Sequence, residues 1–418
     1  MVSAPFLQAG SQFGRPLREQ GGNRGNRCPG GLLDLLLHGG VLQGVAGARH
    51  HLGYCASQRP KGARHLFPRR PFGCPFLVAG AKTAAERIEF LPGFLPSGPV
   101  GPFVRTGFRV HFVRLALTWR RIVHTIFGMF VHLLDGTYEL FRAYFGFPFR
   151  TAPDGTEVGA VYGLLNTTLS LLRDPQLTHI AAATDTVIES FRNDMYDGYK
   201  TGVGVPEDLM GQFGLAERAF QALGVTVWGM IDFEADDAMA TGAHRFSPQA
   251  DRVILVSPDK DLTQCVSGRH VVTFDRRQNV MLDADGVVAK FGVAPASIPD
   301  YLALVGDSAD GIPGIPAWGA KSSSTVLGHY GHLEFIPADP ANWEVKVRGA
   351  ARLSKNLNER QEEALLFREL TTLRRDAPVS RNLEEIAWQG VRRTEYQSLC
   401  SELGFRNPPS VHRWDPET

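Results

Sequence analysis

Cysteine is scarce in this chain, and long apolar runs are missing. Its five cysteines (Cys28, Cys55, Cys74, Cys265 and Cys400) are scattered over 418 residues without a CxxC pair. That suggests neither a zinc site nor a disulfide framework, and a reducing cytoplasm fits. No run of 18 or more apolar residues occurs, so no membrane span is expected. Acidic residues are scarce in one place only. Residues 1–128 hold 17 Lys+Arg, almost all of them arginine, against four acids (Glu19, Asp34, Glu86, Glu89). That segment carries +13; the whole chain carries +1, so the remainder carries −12. Two different compositions are joined in one chain long enough for one large domain or two to three ordinary ones.

The first 128 residues are rich in Gly, Pro, Arg and His and show no sustained helical or strand period. Three readings stand: a basic arm that holds nucleic acid by charge, an organellar targeting segment, or a start codon placed too far upstream. The favoured expectation is the last, with an irregular segment ahead of the true start. Met129 is followed at once by Phe130-Val131-His132-Leu133-Leu134-Asp135-Gly136, a strand pattern that ends in an acid.

From there, apolar runs of strand length alternate with helical patterns, and several runs end in acids. Phe130–Leu134 ends at Asp135, His179–Ala183 at Asp185, and Arg252–Ser257 at Asp259 and Asp261. Val225–Met230 leads into Phe233-Glu234-Ala235-Asp236-Asp237. This alternation predicts an α/β layer with a mostly parallel sheet, whose functional side chains sit past the carboxyl ends of strands. Two carboxylates about 4 Å apart repel by roughly 4 kcal/mol at an effective dielectric of about 20, a cost that a cation removes. The bland alternatives remain open: an acidic helix N-terminus for Glu234–Asp237 and an N-cap for Asp135. Pro206–Leu223 reads as one long helix. Phe191–Lys200 mixes aromatics and charge, which suits either gripping a nucleic acid strand or packing its rings inward. Arg142 is expected on an exposed helix face, available to phosphate.

The stretch from Tyr301 to Lys321 carries two acids three apart, Asp307 and Asp310, then a Gly/Pro turn and a second helix. It reads as a helix-hairpin-helix whose glycines, Gly314 and Gly319, let backbone N–H groups approach phosphate, with Lys321 closing on the same group. Ser322 to about Phe405 reads as mostly helical, and the Pro-rich tail from Arg406 as frayed.

Together LLDGTYELFRAY, FRNDMYDGYKTG, EADD, VSPDKDLTQ and LVGDSADGIPGIPAWGAK resemble the bacterial and phage 5′→3′ exonuclease family, relatives of the flap endonucleases. The resemblance runs from about Met129 to Phe405. It implies a PIN/resolvase-like mostly parallel sheet over 129–292 and a helical DNA-binding domain over 293–405 with a hairpin of helix-3-turn-helix type. Residues 406–418 form a tail. It also implies two divalent ions, Mg²⁺ or Mn²⁺, held by Asp135, Asp185, Glu234, Asp236, Asp237, Asp259, Asp261, Asp307 and Asp310. Of these, Asp135, Glu234, Asp236 and Asp237 are expected to dominate the first ion, Asp261, Asp307 and Asp310 to lean toward the second, and Asp259 to lie between. Arg192 and Lys200 are expected at the scissile phosphate, with Asp237 central to catalysis. Arg142, Arg192, Lys200, Lys260, Gly314, Gly319 and Lys321 are expected on DNA, with K⁺ at the hairpin.

The implied activity is hydrolysis of DNA at 5′-flaps, nicks or 5′-ended duplex, in repair and replication, without a membrane partner. The chain departs from the family pattern in two places. Thr184-Asp185-Thr186-Val187-Ile188-Glu189-Ser190 lacks the usual lysines, and Ala317 stands where the hairpin carries glycine. Two other readings are a non-catalytic DNA-binding protein on the same fold and a PIN-class nuclease that processes RNA.

Overall fold

The computed structural model describes residues 128–417, and the expectations for the basic N-terminal segment lie outside them. Strand β1 (Phe130–Asp135) leads directly into α1 (Gly136–Gly146), followed by α2 (Gly159–Leu171) and β2 (His179–Asp185). Next come α3 (Phe191–Met195), α4 (Glu207–Met210), α5 (Phe213–Ala222), β3 (Thr226–Met230), α6 (Ala235–Phe246) and β4 (Arg252–Val256). A hairpin of β5 (Val271–Asp275) and β6 (Val280–Leu282) precedes α7 (Ala284–Phe291). The C-terminal half holds α8 (Ile298–Val305), α9 (Ala320–Tyr330), α10 (Ala350–Glu359), α11 (Gln361–Thr371) and α12 (Arg393–Glu402).

The six strands lie in the order β3-β2-β1-β4-β5-β6, and every pairing is parallel except β5 with β6. The central strands are apolar on both faces because both faces are covered. One face packs on α1, α2, α5 and α12 through residues such as Leu134, Leu164, Phe220 and Leu399. The other packs on α6 and the strap 373–386 through Leu133, Trp228, Phe246 and Leu383. A third core, centred on Leu302, Trp318, Leu327 and Phe367, holds the helical half together. The strand order reverses direction between β1 and β4, where an open sheet leaves a crevice beyond its carboxyl ends. No single described helix is long and apolar enough to cross a membrane.

Several expectations are corrected. Pro206–Leu223 is not one helix: it breaks at Gly211-Gln212, where the Gln212 side chain accepts from Val161 N and donates to Glu157 instead of facing solvent. The hairpin of β5 and β6 was not anticipated. Residues 322–405 are helical only in part, with long irregular links between α9 and α10 and between α11 and α12. The tail beyond Arg406 is docked. Val391 bonds both Arg413 O and Asp415 N, and the Trp414 ring lies 5.9 Å from that of Tyr396. Apolar burial of Trp414 and Val411 outweighs the local Pro content.

Candidate active site

Asp135 closes β1, and its carboxylate caps α1 through Tyr138 N at 2.8 Å. The Ser257 hydroxyl, just past β4, donates to its other oxygen at 2.8 Å. Both the cap and the strand-end reading therefore hold. Asp185 ends β2 and accepts from Ala235 N at 2.8 Å, which fixes it against the start of α6. Glu234 is the residue before α6 and accepts from Ser190 Oγ at 2.7 Å and Tyr199 OH at 3.3 Å. Asp259 and Asp261 follow β4, with Asp261 N donating to Asp259 at 2.8 Å. Asp307 and Asp310 come from the loop after α8, where Asp307 pairs with Ile312 through two backbone hydrogen bonds.

Four elements of the sheet half and one loop of the helical half thus present acids to one crevice. Each group of like charges leaves its mark on proton affinity. Burial pushes the Asp135 carboxyl up to about 7, against the hydrogen bonds from Tyr138 and Ser257. Burial, reinforced by Asp259 and Asp135, holds Asp236 well above the usual carboxylate range. Burial and then Asp259 do the same to Asp261, against the pull of Lys260. Asp310 is pushed up to about 6 by burial, against Lys200 and with Asp307 adding to the rise. Glu234 goes the other way. Burial pushes it up, but Lys200 and Arg192 together hold it down at about 2.

The ammonium of Lys200 stands between the two halves, 2.8 Å from Glu234 and 3.0 Å from Asp310. Close backbone approach sets this bridge. Lys200 N donates to Asp310 O at 3.1 Å, and a Cβ on Gly311 (φ +75°) would stand 2.0 Å from Gly198 O. Only glycine permits that contact.

Asp261, Asp307 and Asp310 offer oxygens that lie within 4.8 Å of one another. The buried Oδ1 of Asp261 has no hydrogen-bond partner. Three carboxylates at such spacing, one with an orphaned oxygen, suit a hard divalent cation with oxygen ligands.

Other assigned residues behave differently from the expectation. Arg192 is 1 % exposed and stands 3.2 Å from Glu234 at the buried back of the acid cluster. Its guanidinium makes two bonds of 2.8 Å to Asp237 and bonds the carbonyls of Leu370 and Thr372. Asp237, 0 % exposed, also accepts from Glu234 N and Arg374 N. Four donors thus meet its two oxygens, and Arg192 and Asp237 form a buried two-point ion pair. Asp236 lies close enough to Asp259 and Asp135 for their charge to act on it.

Arg142 is held by the buried Glu139, which also binds Arg276, so it does not project freely. Lys260 is paired with Asp307 and stands 3.8 Å from Asp261, within the acid centre. Gly314 is buried, with its Cβ position 2.5 Å from Gly306 N, and serves the turn. Gly319 and Lys321 are exposed at the start of α9, and no atom lies within 4 Å of the Cβ position of Gly319. The aromatics of 191–200 pack inward: Tyr199 is buried, and the Phe191 ring sits 5.9 Å from that of Phe233.

Ser257, Ser190, Tyr199 and Thr137, which orient the acids, escaped the sequence reading. Thr137 Oγ accepts from Asp185 N at 2.8 Å. Only their positions within two residues of a strand-end acid, or inside or directly before FRNDMYDGYKTG, could have flagged them.

A parallel sheet with clustered carboxylates past its strand ends, joined to a helical half that supplies further acids, defines a class of phosphate-handling proteins that work through divalent cations. Residues 130–292 match the family described as 5′-3′ exonuclease, N-terminal resolvase-like domain, and residues 293–394 match 5′-3′ exonuclease, C-terminal SAM fold. Over residues 130–394 the chain belongs to the 5′-3′ exonuclease family.

Among its relatives, DNA polymerase I of Bacillus caldotenax is 33% identical over 281 residues, covering 66% of this chain and 31% of that protein. DNA polymerase I of Pseudomonas aeruginosa is 36% identical over 279 residues, covering 66% and 30%. The chain thus spans under a third of the length of the curated relatives it matches. A solved structure of T5 5′-exonuclease with divalent metal ions (zinc) matches with a TM-score of 0.50 at 17% identity, covering 66% of this chain and 99% of that one. That likeness concerns the fold.

Proposed function

We propose that this chain is a metal-dependent 5′→3′ exonuclease and 5′-flap endonuclease that hydrolyses DNA phosphodiester bonds. The observation that carries the reading is the acid crevice bridged by Lys200, with acids from both the sheet half and the helical half. The relatives support it: two are DNA polymerase I, and the T5 5′-exonuclease carries divalent metal ions.

Asp261, Asp307 and Asp310 would hold one ion, and Asp135, Asp185, Asp236 and Asp259 the other. Mg²⁺ or Mn²⁺ is the natural choice for an all-oxygen set, and K⁺ suits the backbone carbonyls of the hairpin. Bound there, divalent ions supply Lewis-acid stabilisation of the phosphate and lower the pKa of the attacking water. Ser257, Thr137 and Ala235 N keep the carboxylates aimed. Lys200, next to Glu234 and Asp310, offsets charge that develops on the scissile phosphate. Gly319 and Lys321 grip the duplex backbone at the start of α9, without reading sequence. The division into a nuclease domain at 129–292, a DNA-binding domain at 293–405 and a tail belongs to this reading. So do a role in repair or replication and a cytoplasmic setting, where chromosomal DNA lies.

The test is cleavage of a labelled 5′-flap duplex by the full chain, with Mg²⁺ and with chelator, beside a single-stranded RNA. Mg²⁺-dependent release of short 5′ products from DNA is expected. Cleavage of RNA alone would favour an RNA-processing nuclease, and binding of DNA without cleavage a non-catalytic protein.

A further inference from the structure

The segment that links β2 to α5 borders the crevice, since Asp185 opens it and Lys200 reaches back from it to Glu234 and Asp310. Between Thr186 and Asp208 it holds five exposed acids: Glu189, Asp194, Asp197, Glu207 and Asp208. Its only two cations are Arg192 and Lys200. Arg192 is buried against Asp237, and Lys200 is bound to two carboxylates. The segment therefore exposes five carboxylates and no cation that is not already paired. Arg374 of an adjoining element lies 5.4 Å from the Phe191 ring and is already paired with Asp376 at 2.7 Å.

The segment is also pinned rather than loose. Glu189 accepts from Gly202 N at 3.0 Å, and Thr186 N and Val187 N both bond Met230 O. Besides acid it exposes neutral side chains, among them Val187 and Val203 at 41% and 90%. A single strand is gripped by a positive groove with stacking aromatics. This rim has neither, since its aromatic rings are turned into the core or against Phe233 and Arg374.

Resting on the nuclease reading above, we propose that residues 186–208 select against a long single-stranded 5′ flap. The substrate class is then duplex DNA with a 5′ end or a very short flap at a nick or gap. The duplex is held from the helical half, and the strand 5′ of the scissile phosphate must leave past this rim. Each further phosphate there meets like charge, which slows productive encounter and is screened by salt.

The experiment compares Mg²⁺-dependent cleavage, by the full chain, of nicked duplexes that carry a one-nucleotide flap or a long flap. At low ionic strength the one-nucleotide flap is expected to be cut faster by about tenfold, and the ratio to shrink as salt rises. The double variant Asp194→Lys with Asp197→Lys changes two exposed side chains away from the acid crevice. It is expected to raise long-flap cleavage several-fold while one-nucleotide cleavage stays as it was. Equal rates on both substrates at low salt, or a ratio that ignores both salt and the double variant, would overturn the selection and leave the nuclease reading standing. No metal-dependent cleavage of either DNA would overturn both.

Discussion

Arg192 and Asp237 form a two-point ion pair, 2.8 Å at each contact, between a segment after β2 and the first turn of α6. Arg192 also ties down the carbonyls that end α11, so the pair joins the sheet half to the helical half. Removing one partner strands the other charge in the interior. Asp237→Ala is expected to destabilise the protein by about 3–5 kcal/mol. Asp236→Asn removes a carboxylate from a crowd of like charges and is expected to leave stability intact or higher while weakening divalent-ion binding. Urea unfolding beside isothermal titration of Mg²⁺ separates the two. An Asp237→Ala protein of unchanged stability would contradict the structural role.

Lys200 links the two halves of the centre through Glu234 and Asp310. Lys200→Ala is expected to lower single-turnover cleavage by about 10²-fold, while the Kd for duplex DNA changes little. A fall in binding without a fall in the rate of the bound complex would assign Lys200 to DNA contact alone.

The metal-free protein should lose stability as pH rises toward neutrality. Asp135 and Asp310 have folded-state values raised to about 7 and about 6, so the folded state binds more protons than the unfolded chain. Their contribution is therefore fully present below the ordinary carboxylate pKa and is lost as pH rises through about 6 to 7. Tm in chelator is expected to be lower at pH 8 than at pH 5.5. Added Mg²⁺ should recover more Tm at pH 8, because it replaces those protons. A Tm that climbs across this window in chelator would contradict it.

Ala317 adopts φ +73°, one of two non-glycine residues with positive φ among the described residues. A left-handed backbone costs an L-residue roughly 1–2 kcal/mol, partly offset by the greater freedom glycine regains on unfolding. Ala317→Gly is expected to stabilise by about 0.5–1 kcal/mol, read from the denaturation midpoint, with the hairpin conformation unchanged.

Truncation after Arg406 should cost stability, not merely remove a loose end. Trp414 packs on Tyr396, and the tail adds two backbone bonds to Val391. A fall in Tm of several degrees is expected, and an unchanged Tm would show the docking to be weak.

Strand-end acids such as Asp135, Asp185 and Asp259 were legible because each closes an apolar run, and a parallel sheet buried on both faces writes such runs plainly. Local pattern, however, says nothing about which partner arrives from far along the chain. Asp237 meets Arg192 across 45 positions and Arg374 N across 137, contacts that no local pattern announces. In the same way Glu139 captured Arg142, and Asp307 captured Lys260. The sequence by itself determined the chemistry on offer: the acids, the alternating layer and the hairpin. Only the tertiary structure decided which charges remain free, because charge pairing is a matter of distance in space, and burial makes each such pairing all but complete.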